Sequence, residues 1–540
     1  MSKFREESGS ATPKSASSLS TASLSDVNIS RRGMMKILSA GAALSTGIIS
    51  LPNSVWAAEA APVKGGILRA AVPNSSAADT LDPARANNSG DYMRQYMFYS
   101  GLTELDTKLL PQMGLAESMS SEDGLTWSIK LRQGVTFHDG KSLTSQDVVF
   151  SLLRHKDPAV ASTAIALAKQ FASVKAVGLM EVEIKLDQPN FDLPSILGTP
   201  AFLIVQDGTK DFSKAMGTGP YTCKEFSPGT RTVGIRNKNF WKPGLPHLDQ
   251  VELLGVTDQA ARVNALLSGE LHMVATIGSR DVKRINGSNS CSVLESKSGM
   301  YSDLILRQDA AITGNPDFVL AMKYLQPREV LLKTAMQGFG TLANDHPVPP
   351  WHPFFNKDLP QRPNDLDKAK FYLKKSGLVK PSLEIVTTDN IEGAVEGAQF
   401  LQQLGSQVGM DLKVRRVPYD NYWSQHWMKH PISYGSVNPR PTLDMLFSQF
   451  YKSDAPWNES GWKNVQFDQL VTAARGERDQ AKRKQMYGDM QALVYDHCGT
   501  IIPLFISALD GYSNKVKGVE SYPSGMMMGY RFSEFVWLAS

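Results

Sequence analysis

His426 and His430 stand four residues apart. On a helix that spacing puts both imidazoles on one face, where they could share a metal ion. No Glu follows the first histidine, so the zinc-protease pattern is absent. His346 and His352 lie in a proline-rich stretch. All four read as solvated histidines, and no metal is assigned. Carboxylates are plentiful, but no spacing selects a pair for acid–base work. There is no Gly-x-Ser-x-Gly elbow, no phosphate loop and no nucleotide fingerprint. The expectation is therefore a non-enzyme without a cofactor. Cys223, Cys291 and Cys498 are too few and too scattered for a disulfide scaffold. One bridge is possible between unspecified partners. Aromatic residues crowd one region: Trp351, Tyr419, Tyr422, Trp423, Trp427, Tyr434, Trp457 and Trp462. Such rings give a large contact area with few rotors to freeze. Trp351 and Trp457, both beside prolines, are expected to be the exposed ones. Met526-Met527-Met528 reads as an ordinary packed segment.

Any such residues must act outside the cytoplasm. Ser30-Arg31-Arg32-Gly33-Met34-Met35-Lys36 precedes the weakly apolar run Ile37 to Leu51, and Val55-Trp56-Ala57 follows. That layout is a twin-arginine export leader, with cleavage expected near Ala57 or Ala60. The apolar run is shorter than the ~20 residues of a membrane span. Residues 1–57 are thus expected to be a signal peptide with a disordered, Ser-rich extension, and the protein to be periplasmic. The chain has 57 Lys and Arg against 53 Asp and Glu. Six of those bases and three of those acids precede Ala58, so the remainder carries a net charge of about +1. A near-neutral chain without a basic cluster excludes a nucleic-acid footprint.

The elements that must position a site follow from pattern. Gly65-Gly66 leads into a buried strand from Ile67. Leu125 to Leu131 and Val182 to Leu186 alternate apolar and polar residues as half-buried strands do. Asp139-Gly140 marks a tight turn, and Ser145 is expected to cap a helix over Gln146–Arg154. Gln259 to Leu267 is a helix closed by Ser268-Gly269. Phe318 to Met336 is helical, and the prolines between Asp345 and Pro353 forbid a helix there. A strand at Leu383–Val386, a helix at Glu392–Val408 and a strand at Asp411–Val417 imply a sheet with a crossover helix. Gln469 to Tyr495 reads as one long helical stretch. Thr500 to Phe505 is a buried strand.

In this order the landmarks resemble the extracytoplasmic solute-binding proteins of the peptide/nickel class, family 5, that serve ABC importers. The resemblance rests on Gly65-Gly66-x-Leu68, on Thr80-Leu81-Asp82-Pro83, and above all on Leu131-Arg132-x-Gly134-Val135-x-Phe137-His138-Asp139-Gly140-Lys141-x-Leu143-Thr144-x-x-Asp147-Val148-Val149-Phe150. Gly217-Thr218-Gly219-Pro220-Tyr221, Phe240-Trp241, Leu267-Ser268-Gly269-Glu270, Leu366 to Lys370 and Ile502-Pro503-Leu504 continue it, over about residues 63–540. It implies an α/β, two-lobed, periplasmic-binding-protein-like fold with a hinge-closing cleft. Lobe I would span 58–310, with an inserted subdomain at about 102–215. Lobe II would span 311–495, and 496–540 would return to lobe I. The implied function is capture of a peptide or peptide-like solute by a monomer and delivery to an ABC permease in the inner membrane. A nickel or metal-chelate carrier of the same fold is the alternative, and a cofactor-bearing exported enzyme the less favoured one.

The resemblance also implies a site. Ligand backbone would pair with Asn87-Asn88-Ser89 in lobe I and with Ser433, Tyr434, Gly435 and Ser436 in lobe II, as an added strand pairs with a sheet edge. Trp351 and Trp457 would supply walls. Peptide-binding relatives place an Asp after the lobe II segment to meet the ligand's α-ammonium. Here that position is Val437, which has no charge to offer a buried ammonium. Either Asp444 or Asp454 substitutes for it, or the solute lacks a free amine there. Arg440 could instead clamp a carboxylate or phosphate.

Overall fold

The computed structural model describes residues 61–539. The leader and its cleavage site lie outside the described residues.

Two long strands organise the fold. Cys291–Leu306 and Thr500–Ser513 pair antiparallel from Cys291↔Ser513 to Ile305↔Thr500. At one end of this ribbon Gly511 and Tyr512 pair with Met273–Val274. The sheet continues there through Ile67–Val72, Gln250–Gly255, Arg231–Arg236 and Tyr221–Ser227. At the other end Tyr301–Leu306 pairs with Ile432–Val437, followed by Ser382–Thr387 and Asp411–Arg416. With Gly340–Leu342 laid against Thr500–Ser513, the sheet has 11 strands. Register shifts at Lys297/Met300 and Ser302/Leu304 mark bulges, which bend and twist a ribbon locally.

The two halves of the sheet bury separate cores. Leu68, Met97, Tyr221, Val251 and Leu253 pack with Met527, Met528, Phe532 and Val536, so the C-terminal residues fill the core begun by the first strand. Leu304, Phe318, Leu373, Ile385, Leu401 and Ile432 form a second core. The fold is thus α/β and two-lobed. A four-stranded antiparallel sheet, in the order Ala116–Ser120, Thr126–Leu131, Glu181–Leu186 and Phe171–Gly178, encloses its own cluster with Trp127, Ile129, Phe171 and Ile184. The parallel pair Ser382–Thr387 and Asp411–Arg416 is joined by the helix Ala394–Val408, the crossover expected from pattern.

Family motifs turn out to be architecture. A Cβ at Gly217 or Gly219 would lie 2.1 or 2.3 Å from backbone atoms of Phe98. Only glycine lets the two chains pass so closely. Ser145 is not the cap of its helix. The helix is Ser145–Leu153, its cap is Thr144, and Thr144 and Asp147 form a reciprocal capping box. Ser145 Oγ donates instead to the Gly178 carbonyl (2.6 Å). The long helical stretch at 469–495 is two helices, Val465–Gly476 and Gln480–His497, the second capped by Asp479. All three cysteines are free thiols, so the possible bridge is not made.

Candidate functional site

The strand Ile432–Val437 is paired on one side along its whole length and on the other only at its start. Ser382–Thr387 meets it at Ile432 and Ser433, while Tyr301–Leu306 runs the full opposite edge. No strand pairs with 434–437 on that second side among the described residues. The Tyr434 carbonyl accepts a hydrogen bond from Tyr422 Oη (2.7 Å). Gly435 and Ser436 are left to offer main-chain groups to an extended solute.

Side chains on this strand divide by face. Tyr434 is buried among the second core's residues, with its hydroxyl where a Cβ of Gly397 would sit. Its side chain is therefore core. Gly435 faces the other way. A Cβ there would lie 2.6 Å from Glu459 Oε1 and 2.7 Å from Asp303 Oδ1, so no larger residue fits. Trp427 Nε1 donates to Glu459 Oε1 (2.7 Å). No cation pairs with Asp303 or Glu459 among the described residues. Burial holds the Asp303 carboxyl well above the usual range, and it raises Glu459 to about 7. Two carboxyls packed together without a cation retain protons that solvated ones would lose.

Past the strand, Asn438-Pro439 carries the chain to Arg440. Its guanidinium lies over Phe450 (5.2 Å) and Trp457 (5.9 Å). Nε donates to Gln449 Oε1 and Nη1 to the Asn438 carbonyl, each at 2.8 Å. Gln449 and Phe450 come from the helix Leu443–Phe450, which Thr442 caps by accepting from Met445 N (3.2 Å). Burial lowers the arginine's pKa, and its electrostatic neighbours are the phenols of Tyr301 and Tyr92. Trp423, Trp427 and Trp457 meet edge to face at 5.7 and 6.3 Å, and Phe450 meets Trp457 at 5.4 Å. Trp457 is 40% exposed. Trp351, expected to be exposed, is half-buried against Phe505, with its indole N–H unpartnered.

Tyr92 comes from the opposite half of the molecule, on the helix Ser89–Phe98. Asn88 caps that helix by accepting from Asp91 N (3.1 Å), and its Nδ2 donates to Asp91 Oδ2 (3.0 Å). Asn88 is extended, Asn87 is exposed, and Ser89 is already helical and buried beneath Asn74 Nδ2 (3.2 Å). The extended character expected at Asn87-Asn88-Ser89 therefore stops at Asn88. Tyr92 meets Tyr530 edge to face at 5.4 Å. Tyr530, Met527 and Met528 all have left-handed backbone, a conformation non-glycine residues rarely adopt. The buried Asp510 carboxylate helps hold this turn, accepting from Met527 N (2.5 Å) and Thr276 N (3.1 Å). Strained backbone of this kind concentrates at ligand clamps.

The remaining candidates are committed elsewhere. Asp444 is buried and accepts from Arg475 Nε (2.9 Å) and Ser448 Oγ (3.3 Å). Asp454 is a surface residue paired with Lys452 at 3.1 Å. His426 follows a helix of one turn, Tyr422–Gln425, and its Nδ1 meets His430 Nε2 at 3.0 Å with the rings stacked. His346 is fully buried. Tyr92, Gln449 and Phe450 escaped sequence reasoning. For Gln449 and Phe450 a signal existed, the Thr442 cap, which fixes a helix directly after Arg440.

A family model described as bacterial extracellular solute-binding proteins, family 5, middle, matches residues 111–459. The chain is 27% identical over 492 residues to the glutathione-binding protein GsiB of Escherichia coli K12, covering 84% of this chain and 92% of that protein. Its fold is similar to the periplasmic binding protein DppA of Helicobacter pylori, solved with the peptide STSA. That match has a TM-score of 0.73 and 22% identity, over 88% of this chain and 99% of the other. It is similarly like NikZ of Campylobacter jejuni, solved with Ni(L-His), at TM-score 0.73 and 22% identity over 87% and 99%.

Proposed function

We infer the function from one premise: the chain belongs to the bacterial extracellular solute-binding proteins, family 5. The reading is that it captures a peptide or peptide-like solute in the cleft between its lobes and hands it to an ABC permease in the inner membrane. It works as a monomer and makes or breaks no bond in the solute. One observation carries this reading. The half-unpaired strand Ile432–Val437 leads directly to Arg440, whose charge acts to lower the pKa of the Tyr92 phenol on a helix of the other half. Such a position lets a solute touch both halves at once, and a ligand with greater affinity for the closed form shifts the balance toward it.

We assign lobe I to 58–310 with its insert at about 102–215, lobe II to 311–495, and the return to 496–540. Twin-arginine export to the periplasm, with cleavage near Ala57 or Ala60, accompanies this reading. Asn87, Asn88, Gly435, Ser436, Arg440 and Trp457 are its contact residues. Tyr434 contributes main chain at most. Similarity to a glutathione-binding protein favours a small peptide-like solute over a nickel chelate.

A ligand that binds only the folded state raises its melting midpoint. The purified exported protein should melt several degrees higher with glutathione or other short peptides at saturating concentration, and unchanged with nickel–histidine. The opposite pattern would replace this reading with the metal-chelate carrier.

A further inference from the structure

Buried and half-buried arginines in this protein find acids or carbonyls. Arg94 meets Asp79 (2.7 Å), Arg154 meets Asp82 (2.7 Å), and Arg531 meets Glu104 and Glu534 (2.7 and 2.9 Å). Arg328 and Arg362 share Asp345, and Arg262 binds three carbonyls. Arg440 differs. It is half-buried between two aromatic rings, two of its nitrogens are held by Gln449 and Asn438, and no carboxylate lies within ion-pair distance among the described residues. Fixing a guanidinium by its Nε and Nη1 edges leaves Nη2 to meet an oxyanion, and the partial loss of water strengthens that bond.

The acids nearby cannot serve a solute's ammonium. Asp444 is neutralised by Arg475, and Asp454 points into solvent beside Lys452. Asp303 and Glu459 are fully buried behind Gly435, where even a methyl group does not fit between strand and carboxyls. Val437, at the end of the strand, is apolar and buried. This end of the cleft therefore holds one unmatched positive charge and no unmatched negative one.

Resting on the capture reading above, we propose that the solute is an oxyanion, its carboxylate or phosphate paired with Arg440. No ammonium of the solute is buried at this strand end. The anion is the counter-ion that Arg440 lacks.

The test uses the exported protein and defined probes. Glutathione, the tripeptide Ala-Gly-Ala, its N-acetyl form, its C-terminal amide and glycerol phosphate are titrated calorimetrically into wild type, Arg440→Gln and Arg440→Lys. Acetylating the amine should leave affinity within about threefold. Amidating the carboxylate, or Arg440→Gln, should weaken binding by about 30-fold or more, with Arg440→Lys recovering part. Binding of glycerol phosphate alone would identify the oxyanion as phosphate. An amide that binds as tightly as the acid, or an acetyl form that does not bind while the free amine does, overturns the proposal. The peptide arm needs no variant, so it decides even if Arg440→Gln misfolds. If no probe binds wild type, the capture reading itself fails, a result distinct from loss of the charge preference.

Discussion

Asp303 and Glu459 carry the clearest consequence at the scale of single residues. Glu459 is raised from 4.5 to about 7, chiefly by burial. Between those values the folded protein keeps a proton that the unfolded chain has released. Stability therefore falls as pH rises through that window, and the loss is complete above about 7. Glu459→Gln removes the titrating group and keeps an oxygen for Trp427 Nε1. Unfolding free energies should match wild type at pH 4.5 and exceed it at pH 8, by roughly 3 kcal/mol at one pKa unit per about 1.4 kcal/mol. An unchanged pH slope in the variant would mean that the pair is not protonated. The sequence could not have disclosed this pair, because residues 303 and 459 meet only across a strand neither belongs to. Arg440 entered the proposed site for a local reason, an arginine three residues past an apolar Val437. Tyr92, on a helix of the other half and far away in sequence, had no such signal.

At the scale of elements, the body of the four-stranded sheet and the helices of the second half are joined by a polar seam. Arg483, on the helix Gln480–His497, pairs with Asp192 at 2.6 Å and donates from Nε to the Ala474 carbonyl (2.9 Å). Both side chains are nearly buried, the Phe191 N–H donates to the Arg475 carbonyl (3.1 Å), and the guanidinium lies 5.6 Å from the rings of Phe354 and Tyr487. Removing one partner of a buried pair leaves the other charge without compensation. Arg483→Met should cost about 3 kcal/mol in urea unfolding. The double variant with Asp192→Asn should recover part of this, with a coupling above about 1 kcal/mol. Strict additivity would show that the seam is only packed, not paired. Most elements were legible because their periods and caps are local: Gln259–Leu267 has the bounds its pattern gives, and the crossover at Ser382–Arg416 follows from its strand–helix–strand order. The misread points were competitions between neighbours. Thr144 outbids Ser145 as a cap because Asp147 completes a box with it, and Asp479 starts a new helix inside an apparently continuous one.

At the scale of the whole molecule, the ribbon of Cys291–Leu306 and Thr500–Ser513 is the feature on which the proposed capture rests. It is shared by both halves of the sheet, its Lys297/Met300 bulge lies between the end paired with Met273–Val274 and the end paired with Ile432–Val437, its Ser302/Leu304 bulge lies within the latter, and Arg440 sits just past that end. The family resemblance implied two lobes with a return at 496–540, whereas the merging of both halves into one sheet came only with the structure, since strand partners such as Met273 and Tyr512 lie more than two hundred residues apart. The most direct test is a calorimetric titration of the exported protein with the solute that co-purifies with it, followed by mass spectrometry of the released solute. Saturation at one solute per chain, with the solute recovered chemically unchanged, is the predicted result. Absence of saturable binding, or recovery of the solute as a different compound, would contradict the account.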